Sequence, residues 1–216
     1  MDPVLENLDL FWGGFVRSLG IVLWAFAGSM VLGTALAVCR VSPVPVLRAV
    51  GTGYVAVVRN TPLTVVLFLF AFGIPALQVN ASFYVFGVAG LVVYTAAFVC
   101  EAIRSGINAV APGQAEAARA IGLTFGQTLT QVVLPQAVRT VVPPLGNVQI
   151  AMVKNSAVVG AFGVGGELFS VATRLTSAQG EPRLPVYLGV AAFFLLITLP
   201  AGALLARTEQ RLAVAR

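Results

Sequence analysis

Charged residues are sparse along this chain, and the gaps between them outline its elements. None occurs between Arg17 and Arg40, which leaves Ser18 to Cys39 as one long apolar segment. A bilayer core about 30 Å thick needs about 20 residues of helix, so the spacing predicts a membrane span over 18–39. The charge-free stretch from Arg59 to Glu101 is about twice as long as one span needs. Gly73-Ile74-Pro75 and Gln78-Val79-Asn80 interrupt it near its middle and split it into spans over 54–77 and 82–103. A fourth apolar stretch covers 138–159, although Pro143-Pro144, Asn147, Gln149 and Lys154 lie inside it, and a fifth covers 184–206. The pattern therefore predicts an all-α integral membrane protein with five spans, forming one domain over residues 1–216.

Composition supports this reading. Of 216 residues 58% are hydrophobic and 10% charged, far below the quarter that an ordinary soluble domain carries. Disorder and a disulfide scaffold are excluded by high hydrophobicity and by the presence of only Cys39 and Cys100, each expected as a small buried apolar group. The absence of histidine and of clustered carboxylates argues against a metal site or a hydrolytic triad. The net charge of +5 comes from scattered arginines with a single lysine, a distribution unlike a nucleic-acid surface.

Those arginines set a topology instead. Arg40, Arg48 and Arg59 follow span one, Arg104, Arg119 and Arg139 lie between spans three and four, and Arg207, Arg211 and Arg216 close the chain. The positive-inside rule then puts the N-terminus outside and the C-terminus in the cytoplasm, with Arg174 and Arg183, partly balanced by Glu167 and Glu181, as outer exceptions. The acidic start, with Asp2, Glu6 and Asp9, is unlike the basic opening of a cleaved signal peptide. Ala25, Ser29, Gly33 and Ala37, spaced four apart, form a stripe that lets another helix approach closely and is read as packing.

The segment between spans three and four, residues 108–135, is too long for a turn and is patterned. Pro112 stands where a helix can begin, Glu116 to Ile121 are mostly helix formers, and Gly122 can end the helix. A second amphipathic piece, Phe125 to Leu134, then meets Pro135. Pattern alone leaves open an interfacial helix pair lying on the bilayer.

Glu116-Ala117-Ala118, Gly122 and Val132-Val133-Leu134-Pro135 stand at the spacing of the EAA signature of ABC importer permeases, with Val132 where isoleucine is usual. Gly113-Gln114, Arg59-Asn60-Thr61-Pro62-Leu63 and Lys154-Asn155-Ser156 resemble the polar amino acid subgroup of that family. Arg40-Val41-Ser42-Pro43, Arg104 to Asn108 and Arg211-Leu212-Ala213-Val214 resemble a permease subunit of an actinobacterial glutamate importer. The resemblance implies a type I importer permease fold with a cytoplasmic coupling helix that docks on a separate ABC ATPase dimer. Gln114, Glu116, Ala117, Ala118, Arg119, Gly122, Leu134 and Pro135 would make the coupling segment, with Ala117, Ala118 and Ile121 packing on the partner. It also implies a second, different permease subunit and an external substrate-binding protein. ATP and Mg would sit on the ATPase, because this chain has no phosphate-binding loop and binds no cofactor itself.

Span position and family likeness together give a candidate substrate path of Asn147, Gln149, Lys154, Asn155 and Ser156, with Arg59 and Thr61. A lysine inside a span costs about 2.5–3.5 kcal/mol to insert, so it faces a cavity or partner unless the helix ends early and Lys154 snorkels outward. For Arg59 and Glu101 an interfacial anchor or intersubunit salt bridge is favoured over substrate contact. Gly160, Gly163, Gly165 and Gly166 before Glu167 fit a re-entrant turn or a contact surface for the binding protein. An ion-coupled secondary transporter, which would carry carboxylates within its spans, is the competing expectation.

Overall fold

The computed structural model describes residues 2–162 and 165–212; Gly163 of the glycine cluster and Ala213, Val214 and Arg216 of the C-terminal segment lie outside them. The described residues are helical, with α1 at Asp2–Glu6, α2 at Leu8–Val41, α3 at Pro45–Arg59, α4 at Leu63–Ala76 and α5 at Phe83–Asn108. There follow α6 at Pro112–Ala120, α7 at Leu134–Gly160, α8 at Leu168–Thr173 and α9 at Arg183–Leu212.

Three of these helices, α2, α5 and α9, are long and apolar enough to cross a membrane, and α3 with α4 passes only as a bent pair. α7 is 27 residues long, about 40 Å, but its polar residues keep it below that apolar threshold. α2 runs well past the expected 18–39 and carries Arg17 within it. That guanidinium stacks over the Tyr84 ring with its carbon 5.3 Å from the ring centre.

The expected span over 54–77 is corrected. Residues 54–59 belong to α3, and α4 turns away from α3 by 104° at Asn60-Thr61-Pro62. Pro62 causes the break, because proline pushes the residue before it out of the helical region and offers no N–H to the ladder. Ser42 and Val44 are extended for the same reason, each preceding a proline.

Elsewhere proline does not stop a helix. The amphipathic piece that the sequence ends at Pro135 instead runs on into α7, through one turn at Phe125–Gln127 and a wide turn at Thr128–Val133. There the Leu134 N–H donates to the Leu129 carbonyl, five residues back rather than four. The same widening at Leu69–Gly73 precedes Pro75, with Ile74 donating to Leu69. Such a turn gives the proline ring room in a continuing helix.

α5 is the centre, packed along α2 on one side and α7 on another, with α3 and α4 also against it. The α2 stripe of Ala25, Ser29, Gly33 and Ala37 is buried throughout, as its spacing predicts. A Cβ at Gly33 would stand 2.6 Å from Val99 Cβ and 2.9 Å from the Ala96 carbonyl oxygen; one at Gly28 would stand 2.7 Å from Val92. Gly106 of α5 meets Val141 of α7, and Gly146 of α7 meets Leu205 of α9, just as closely. Glycine at these contacts lets backbones approach where dispersion replaces the hydrophobic effect.

Three apolar clusters follow α2 from end to end. Phe11 meets Leu168, Leu175 and Val186 at the first; Ile21 and Ala25 meet Leu67, Leu91, Met152 and Val159 in the middle; Leu36 and Ala37 meet Val55, Val58, Ala97 and Cys100 at the last. Cys100 is fully buried, whereas Cys39 is only partly so. Just before Glu167 the backbone turns through two glycines. Gly165 and Gly166 have φ of 69° and 78°, the buried Glu167 accepts from Phe169 N (2.7 Å) and Ser170 N (2.6 Å), and Leu168 N donates to Ser18 Oγ at 3.2 Å.

A Gly33→Leu chain is expected to lose about 1–3 kcal/mol of stability through overpacking. Gly53→Ala, in a helix with open space at its Cβ, should gain about 0.5–1 kcal/mol. Thermal unfolding in detergent measures both, and an unchanged midpoint for Gly33→Leu would contradict the close seam.

Candidate functional site

α6 begins with Pro112 at its first turn and ends in a Schellman motif. Leu123 N donates to the Ala118 carbonyl at 3.1 Å and Gly122 N to Arg119 at 3.0 Å, while Gly122 takes φ +92°. One residue later Thr124 caps the next turn. Gln127 N donates to Thr124 Oγ1 at 3.3 Å and Thr124 N to Gln127 Oε1 at 2.9 Å, a reciprocal capping box. The bend between α6 and the segment returning to α7 is thus fixed on both sides within four residues. Thr124-x-x-Gln127 is the capping-box signature and is legible in the sequence itself.

Gln114, Glu116, Ala117 and Arg119 are exposed on α6, and Leu134 and Pro135 are exposed on the returning helix. Ala118 is corrected. It is buried inside this chain, where α6 folds back towards the Thr128–Val133 turn, and it has no surface left for a partner. In its place the tip presents Ile121, 82% exposed, and Phe125, 78% exposed, on either side of Gly122. Two large apolar side chains held in the open beside Glu116 and Arg119 make a contact surface without an occupant in this chain.

The candidate path residues fall into separate groups. Asn147 and Lys154, seven residues apart, lie on one exposed face of α7 with Ala151 between them. Among the described residues no carboxylate lies within ion-pair distance of Lys154. α7 continues six residues beyond it, so it does not stand at a helix end. Asn155 lines a recess of about 190 Å3 with Tyr94, Thr95 and Phe98. Thr95 is at the midpoint of α5, and its buried hydroxyl has no hydrogen-bond partner among the described residues.

Gln149 points elsewhere. It lines an apolar cavity of about 530 Å3 between α2, α7 and α9, where both amide atoms are buried without partners among the described residues. Ser156 is buried, and its hydroxyl donates to the Val153 carbonyl at 2.7 Å. Arg59 and Thr61 flank the α3–α4 break, and Thr61 Oγ1 donates to Val57 at 2.9 Å.

The intersubunit reading of Arg59 and Glu101 is also corrected, because the pair closes within one chain. Glu101 pairs with Arg40, with Arg104 at 3.2 Å and with Arg59 at 3.7 Å, and Arg59 lies 5.6 Å from the centre of the Phe98 ring. No local pattern announces this meeting, since Arg40 and Glu101 are 61 residues apart.

Comparison with known proteins gives the family. Residues 29–214 match the family described as "Binding-protein-dependent transport system inner membrane component". The chain is 39% identical over 209 residues to the probable glutamine ABC transporter permease protein GlnM of Bacillus subtilis, covering 97% of this chain and 96% of that one. It is 39% identical over 220 residues to the glutamate transport system permease protein GluC of Corynebacterium glutamicum, covering 96% and 94%. A crystal structure of an amino acid ABC transporter with histidines superposes with a TM-score of 0.90 at 33% identity, over 96% of each chain. The chain belongs to the binding-protein-dependent inner-membrane transport components, as an ABC importer permease of the polar amino acid kind.

Proposed function

We propose that this permease carries an acidic amino acid, glutamate, inward through a path that it forms with a second, different permease subunit. The observation that carries this is Lys154, exposed in the body of α7 and without an ion-pair partner among the described residues. A cation facing lipid is costly, whereas one facing a path between subunits is solvated between transport events and can pair with a substrate carboxylate during them. Asn147 on the same face and Asn155 in the adjoining recess supply hydrogen bonds to the rest of the substrate. Charge favours an anion over a cation. Glu101 and Glu167 are both engaged, one by arginines and one by backbone N–H groups. Neither is free to act as a counter-charge for a cationic amino acid. The relative named for glutamate supports this choice, and the one named for glutamine marks its nearest competitor.

Drive comes from outside the chain. α6 is the coupling helix, with Ile121 and Phe125 as apolar contacts and Glu116 and Arg119 as polar ones against a cytoplasmic ATPase that holds ATP and Mg. The fixed bend at Gly122-Leu123-Thr124 passes its displacement into α7, which holds Lys154. α7, though too polar for a simple lipid-facing span, is the fourth crossing, so the chain crosses five times with its N-terminus outside. ATP binding and hydrolysis switch the pair of permeases between outward and inward access, a rigid-body change between two states, and an external binding protein delivers the substrate.

Vesicles holding this chain, its partner permease, the ATPase and the binding protein should take up labelled glutamate only with ATP, competed by aspartate and not by arginine. ATP-dependent uptake of glutamine alone would discard the substrate assignment, and uptake driven by an ion gradient without ATP would discard the coupling. Lys154→Met should cut uptake by about thirtyfold or more, the effect of losing about 2 kcal/mol from a desolvated charge contact. The ATPase should still co-purify with that variant, and normal uptake would sink the role of Lys154. Ile121→Asp and Glu116→Lys, both at exposed positions, should leave the permease's thermal midpoint unchanged and abolish co-purification of the ATPase. Retention of the ATPase by both variants would move the docking surface elsewhere.

A further inference from the structure

We propose that the recess where α2, α3 and α5 meet binds the phosphate of an anionic phospholipid. Arg40, Thr52, Val55, Ala56, Arg59, Asn60 and Glu101 line a space of about 350 Å3 at this point. Three guanidiniums, those of Arg40, Arg59 and Arg104, share the single carboxylate of Glu101, which leaves two positive charges without a partner in the cluster. Arg104 is outside the lining and holds the second Glu101 oxygen, so Arg40 and Arg59 are the guanidiniums that face the space. Thr52 and Asn60 add neutral hydrogen-bonding groups to the lining, and the Asn60 amide is already donating to the Ala56 carbonyl at 2.7 Å. A tetrahedral oxyanion fits such a donor set, because arginine forks match phosphate oxygens.

The surroundings identify the source of that phosphate. Val46, Val50 and Val57 form an exposed apolar strip that turns α3 to the bilayer on the side away from the recess. Phe98, under Arg59, adds an aromatic face at the level of the arginines. A phospholipid of the surrounding bilayer brings an anionic headgroup to that level, where its charge complements the arginines. In the orientation proposed above the site opens to the cytoplasmic leaflet, where basic residues meet anionic lipid. The break at Asn60-Thr61-Pro62 creates this site, because a straight helix through residues 45–76 would carry Arg59 away from Glu101. Bound lipid would thereby brace the bent α3–α4 pair against α5.

The test uses the assembled transporter, delipidated in detergent and titrated with phosphatidylglycerol or phosphatidylcholine, with bound lipid counted by native mass spectrometry. Phosphatidylglycerol should be retained in preference to phosphatidylcholine. Arg59→Gln should weaken that retention about fivefold, the effect of one basic residue at a membrane surface. Arg139→Gln, exposed on α7, should leave it unchanged. Glu101→Gln removes the competing carboxylate and should strengthen retention by about the same factor, a gain that misfolding cannot imitate. Equal retention of the two lipids, or equal retention by the Arg59→Gln and Arg139→Gln transporters, would overturn the proposal. Displacement of phosphatidylglycerol by millimolar inorganic phosphate would also overturn it, marking a small-anion site instead.

Discussion

The close seam between α2 and α5 determines where every other group stands. Gly28 and Gly33 accept the branched side chains of Val92 and Val99, so the two helices lie nearer than ordinary side chains allow. In lipid, where burying apolar surface against apolar surface brings little, such fit is what holds helices together. With α5 fixed in this way, Gly106 seats Val141 of α7, Thr95 stands beside Asn155, and Glu101 reaches Arg40 at the end of α2. The three sites of the chain are thus positioned from one helix.

Polar groups are distributed by the cost of leaving them unpaired. Glu167 is nearly inaccessible and spends both carboxylate oxygens on backbone N–H groups, which caps the start of α8. Glu101 spends its charge on three arginines and ties α2, α3 and α5 together. Lys154 is treated differently, since it is exposed on a face with Asn147 and has no acidic neighbour among the described residues. Both glutamates are thus engaged within the chain, whereas Lys154, like the Thr95 hydroxyl and the Gln149 amide, has no partner among the described residues.

Much of this was legible in the sequence, for physical reasons. Charge-free gaps mark helices that meet lipid, and the stripe of small residues on α2 marks a close helix contact. The EAA segment was readable because one helix, one glycine and one proline must fall at fixed spacing. What escaped depends on contacts distant in sequence. A pattern of hydropathy treats residues 54–77 as one span, whereas Pro62 breaks it by 104° and Arg59 then finds Glu101. Ala118 and Ile121 look equally free on a helical wheel, yet α6 folds back and buries the first alone. Pro135 reads as a stop, and a wide turn before it lets the helix continue. Gln149 and Asn155 lie near each other in sequence but line different cavities.

The proposal that α7 lines the substrate path is tested most directly by solvent access to position 154. With Cys39 and Cys100 replaced by alanine, Lys154→Cys and Asn147→Cys would be placed in the assembled transporter, and Val31→Cys, 74% exposed on the apolar face of α2, would serve as the lipid-facing reference. If α7 lines a water-filled path, a membrane-impermeant thiol reagent modifies positions 154 and 147 at a rate that changes when ATP is added, and leaves position 31 unmodified. A position 154 as inert as position 31, with and without ATP, would show that this face of α7 meets no water and carries no substrate.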